Sequence, residues 1–259
     1  MASFYRTTAA VCLVALYVLR SEAKDQTTYK FKAFNVDDTC YLAANLARNG
    51  SLPVHINEVA RGESLVSTLK TKVESQENVI EEAAVSDHSC DALVKKEGLK
   101  DIFHYTFPQQ ENPNYRELLQ AALDAGLAVF TDTKHQNNWQ QIWAVDAGAS
   151  LAYLLGANST TIGCVIGQCT AATSVVGGGR SAATPTGKAV LFCELNPAAQ
   201  KDQAPFDEEY YDGLIARTAK LVSMTEEDLK AASNDATAAT AIPTILSAGV
   251  IAMLTVVSA

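Results

Sequence analysis

TTIGCVIGQ, residues 160–168, and KAVLFCEL, residues 188–195, are short apolar runs bounded by Asn, Gly and Pro. Runs of this length, rich in branched and aromatic residues, read as buried strands. SLAYLLG, residues 150–156, has the same character and reads as a third. The segment Gly177, Gly178, Gly179, Arg180, Ser181, Ala182 lies between the first two runs and reads as a long pliable loop.

Outward from these strands the periodicity changes to that of helices. Asp37-Asp38-Thr39 offers capping oxygens to a helix over 39–49, which carries Tyr41, Leu42 and Leu46 on one face and stops at Gly50. Leu65, Leu69, Val73 and Ile80 recur at helical spacing across 63–84. A third helix begins near Ser86-Asp87 and holds Cys90; a fourth uses Tyr115, Leu118, Leu119, Ala122 and Leu123; a last spans 207–219. Helices around a small, mostly antiparallel sheet define an α+β domain or a three-layer α-β-α sandwich.

Both termini differ from this middle. Residues 9–19 (AAVCLVALYVL) follow Arg6 and precede Ser21 and Ala23, the layout of a secretory signal cleaved after Ala23. Residues 242–259 carry no charge, and the small residues Ser233-Asn234-Asp235-Ala236 stand before them. That is the layout of a GPI-attachment signal, with Asn234 or Ser233 receiving the anchor. The expected organisation is therefore a signal over 1–23, a domain over 24–222, a stalk over 223–234 and a discarded signal over 235–259. The mature protein is then expected on the outer leaflet of the plasma membrane.

Cys12 leaves with the first signal, so Cys40, Cys90, Cys164, Cys169 and Cys193 remain. An odd number leaves one thiol unpaired or bonded to another chain, as in a disulfide-linked dimer. Asn49 and Asn158 head N-glycosylation sequons. The net charge of −9 argues against nucleic acid as a partner.

His55, His88, His104 and His135 are scattered without ligand spacing, so no metal or cofactor is signalled. Gly187-Lys188 lacks the Ser or Thr of a phosphate loop, because Ala189 follows. The acids at 207–209 and 226–228 read as helix-start residues. Trp139, Ile142 and Trp143 read as core and, alternatively, as the lining of a lipid or sterol cleft.

Several pieces, in this order and spacing, resemble the GPI-anchored surface antigens of Eimeria-type coccidian parasites: Asp38-Thr39-Cys40, the 164–169 segment CVIGQC, the 189–193 segment AVLFC with Asn196-Pro197, and Pro205-Phe206-Asp207. That family is in turn similar to the CAP superfamily, which shares a three-layer α-β-α sandwich; the echoes are Asn45-Leu46-Ala47-Arg48 and Gln140-Gln141-Ile142-Trp143. The resemblance implies a bond between Cys164 and Cys193, with Cys169 joined to Cys90 or Cys40. It also implies a non-enzymatic surface antigen that meets host cells or host antibodies, or else a lipid or sterol carrier. Ala44 and Asn137 stand where the CAP pattern places two histidines, which speaks against an inherited metal site. Exposed loops are then the expected contact regions, namely 177–186, with Gly177, Gly178, Gly179 and Arg180, and the polar stretch 134–138.

Overall fold

The computed structural model of the chain describes residues 26–80, 89–132, 138–175 and 179–230. The two expected terminal signals, Ser233, Asn234, His88, His135, Gly177 and Gly178 lie outside these residues. The elements run β1 (Gln26–Asn35), α1 (Asp38–Asn49), β2 (Ala60–Arg61), α2 (Glu63–Glu74), β3 (Glu77–Ile80), α3 (Ser89–Val94), β4 (Phe103–Pro108) and α4 (Tyr115–Phe130). They continue with α5 (Trp139–Trp143), α6 (Asp146–Leu154), β5 (Thr161–Val175), β6 (Gly179–Arg180), β7 (Thr184–Asn196) and α7 (Glu208–Ala216). Two 3-10 turns follow at Leu221–Ser223 and Glu226–Leu229.

The seven-stranded sheet follows the path β3-β1-β5-β7-β4, and its long pairings are all antiparallel. The two runs first read as strands form its centre, β5 and β7, with Cys164 opposite Cys193. Successive side chains on a strand point to opposite faces. Gly163, Val165 and Phe192 therefore share one face, where α2 and α3 pack, while Cys164, Leu191 and Cys193 face α1, α4 and α6. The result is an α+β domain with helices on both faces of a small antiparallel sheet.

Three expectations about elements are corrected. Residues 150–154 are helical and end α6: Ala and Leu suit a helix, and an all-round apolar run carries no period to separate helix from strand. The helix expected over 63–84 ends at Glu74, and Glu77–Ile80 instead pairs with β1. Part of the long loop is sheet, since Gly179 and Arg180 pair with Val175 and Ser174.

The segment expected as a stalk is packed on the domain as far as Leu229. Met224 is buried, its carbonyl accepts from Arg116 Nη1 at 2.6 Å, and Ser51 donates from both its backbone and its hydroxyl to Asp228. Gly50 permits this approach, because a Cβ there would stand 2.6 Å from the Met224 sulfur.

Candidate functional site

An aromatic cluster forms where α4, α5 and α7 converge. Asn138 caps α5 by accepting from Gln141 N, which starts the helix so that Trp139 and Ile142 point to one side. Asp207 caps α7 by accepting from Tyr210 N at 2.8 Å, with Phe206 just before it. Two hydrogen bonds fix the elements together. Tyr211 Oη donates to the Phe130 carbonyl at 2.9 Å, and Trp143 Nε1 donates to the Gln203 carbonyl at 2.8 Å.

Phe206 is the hub of the cluster. Its ring centroid lies 5.4 Å from Trp139, 4.9 Å from Tyr210, 6.1 Å from Phe130 and 6.3 Å from Tyr211. Edge-to-face arrangements such as Trp139 on Phe206 are the preferred ones for aromatic quadrupoles, so the cluster is a rigid floor. Above that floor opens a groove of about 790 Å³, within the size range of small-ligand sites. Phe130, Trp139, Ile142, Phe206, Tyr211 and Ile215 supply its apolar lining, and Asp207, Glu208 and Asp212 stand along the α7 wall. Burial and the nearby Asp212 push the Tyr211 phenol above its ordinary pKa, which keeps its proton on the bond to Phe130.

The residues singled out in the sequence divide into those at this groove and those elsewhere. Trp139 and Ile142 line it; Trp143 is buried in the core against Tyr153. The stretch 134–138 leads directly into α5, although only Asn138 of it is described. His55 contacts the Leu52 carbonyl, and His104 is held at the start of β4. Phe130, Phe206, Tyr211 and Asp212 carry no signal in a linear reading, since nothing in the spacing joins residues 130, 139 and 206.

The cysteines are distributed over both faces of the sheet. Cys164 is bonded to Cys193 across β5 and β7, with Cα atoms 4.2 Å apart. Cys90 is bonded to Cys169, tying α3 to β5, which resolves the choice between Cys90 and Cys40. Cys40 remains a thiol; it is completely buried, and burial holds it in the protonated form. Enclosed in this way, the Cys40 thiol is not presented at the surface of the folded domain.

The two sequons also separate. Asn158 is exposed. Asn49 is fully buried and its Oδ1 accepts from Ile56 N at 2.9 Å, which leaves no room for a glycan on the folded domain. Ala44, at the position of a CAP histidine, is core.

Fold and groove together define a disulfide-bonded α+β domain with a concave aromatic surface. No family model and no curated protein matches the chain. Among solved structures it is similar to the surface antigen protein SAG19 of Eimeria tenella, at 21% identity over 71% of this chain and 97% of that one, with a TM-score of 0.40. It is also similar to a hookworm platelet inhibitor, at 10% identity over 68% of this chain and 79% of that one, again with a TM-score of 0.40. At these scores neither likeness decides the function of the chain. No described helix is long and apolar enough to cross a membrane.

Proposed function

We propose that the protein is a non-enzymatic recognition domain, secreted and held on a cell surface by a GPI anchor at Asn234 or Ser233, and that it binds its partner in the groove between α4, α5 and α7. In the reading that the sequence resemblance suggests, it is a parasite surface antigen and the partner belongs to the host cell surface or to host antibodies. The groove carries the proposal: it is a preformed concavity with a rigid aromatic floor, and aromatic side chains are the residues that most often dominate binding energy. Two disulfides agree with an oxidising compartment.

A lipid or sterol carrier fits less well, because three carboxylates line the groove and a buried charge is costly against an apolar ligand. The groove also lies among α4, α5 and α7, and none of its described lining residues belongs to a strand.

Two experiments test the proposal. Phosphatidylinositol-specific phospholipase should release the protein from expressing cells, and retention after treatment counts against the anchor. Trp139→Ala should abolish binding to host cells while the disulfides form normally; undiminished binding by a folded variant places recognition elsewhere.

A further inference from the structure

The charge of the groove identifies the chemistry of its partner. Asp207, Glu208 and Asp212 stand along one wall, and none of the described lining residues is basic. Glu208 and Asp212 are one helical turn apart and share a face of α7, as do Tyr211 and Ile215. The wall therefore offers carboxylates above and apolar surface below. The positive end of the α7 dipole, equivalent to roughly half a charge, opposes three carboxylates and does not cancel them. Asp207 spends one oxygen on the cap to Tyr210 N, while Glu208 and Asp212 are exposed to solvent.

Aromatic rings and carboxylates together form a site for an organic cation: the ring faces attract the charge and the carboxylates accept its hydrogen bonds. Among cations a guanidinium suits both halves, since it is planar, stacks on aromatic rings and takes a carboxylate through two parallel bonds. The groove is also too large for one such group, and Ile215 at its edge is 42% exposed, so an apolar contact waits beside the charged one. We infer that the groove binds an arginine side chain, flanked by apolar residues, from an extended segment of another protein. This inference rests on the groove being the recognition surface.

The test uses the full-length protein from a eukaryotic secretory host and follows the indole signal of Trp139 by NMR. Four probes are titrated: the peptide acetyl-Gly-Leu-Arg-Leu-Gly-amide, the same peptide with neutral citrulline in place of arginine, agmatine, and decanol. The arginine peptide should bind saturably and roughly tenfold more tightly than the citrulline peptide, the scale of one charge-assisted contact. Agmatine should bind more weakly than the arginine peptide, for want of the apolar flanks. Glu208→Gln combined with Asp212→Asn should erase the tenfold preference in a protein that still folds with both disulfides, because both side chains are exposed and only the small dipole contribution of Glu208 is lost.

Equal affinity for the two peptides overturns the inference, as does agmatine binding as tightly as the arginine peptide. Saturable binding of decanol with no preference for arginine overturns the cation and leaves the groove standing as a recognition surface. Silence from all four probes overturns both.

Discussion

Arg48 is wholly enclosed, yet its partners are carbonyl oxygens: Nη1 donates to Leu154 at 2.6 Å, and Nη2 donates to Asn57 at 2.7 Å and Gly156 at 3.0 Å. Burial lowers its pKa to about 10, so it stays charged at neutral pH, with the C-terminal dipole of α1 in its favour. A lysine cannot reproduce the planar fork, and Arg48→Lys strands buried carbonyls. We expect a loss of about 2–4 kcal/mol in urea denaturation; a variant as stable as the parent shows the clamp to be dispensable. His104 gives a pH dependence. Burial holds its pKa below the ordinary 6.5, although the bond to the Ile102 carbonyl opposes this. The unfolded chain then takes up the proton first, so stability is complete above pH 6.5 and falls as pH drops towards the folded pKa. Melting temperatures at pH 7.5 and 5.5 should show that fall, and His104→Gln should shrink it; an identical fall in the variant sinks the assignment.

Between elements, α2 lies close against β5. A Cβ at Gly163 would lie 2.7 Å from the backbone of Leu65 and Val66, atoms that cannot swing aside as a side chain can. Gly163→Ala should therefore push α2 off the sheet at a cost of about 1–3 kcal/mol in thermal or chemical unfolding. An unchanged unfolding midpoint refutes that contact. The strand containing Gly163 was legible in the sequence, because a buried central strand is apolar on both faces and so forms a short continuous run. Helix α6 was misread for the same physical reason, being apolar on every side. Strand β1 passed without notice although its alternation is present: Thr27, Tyr29, Phe31 and Ala33 are buried, while Lys30 and Lys32 point the other way. The groove was legible only where it is local. Trp139 and Ile142 share one helical face, but Phe206 and Asp212 reach them through tertiary packing that no spacing encodes.

Across the whole molecule, the two disulfides close loops of very different length, 79 residues between Cys90 and Cys169 and 29 between Cys164 and Cys193. In the chain-entropy account they restrict the unfolded state by about 4.5 and about 3.6 kcal/mol respectively. Replacing both Cys90 and Cys169 with alanine should thus cost roughly 1 kcal/mol more than replacing both Cys164 and Cys193. Cys40 sets a single replacement apart from the double one, because its sulfur lies within 4.8 Å of those of Cys164 and Cys193. If only Cys193 is changed to alanine, Cys164 is left beside a thiol instead of an apolar wall. During oxidative folding that pair should close, joining α1 to β5 in place of β7 to β5. Cys193→Ala should then yield no alkylatable thiol, a linked peptide containing Cys40 and Cys164, and a stability above that of the double alanine variant. Two free thiols and equal stability would mean that packing around α1 holds Cys40 too firmly to reach its neighbour.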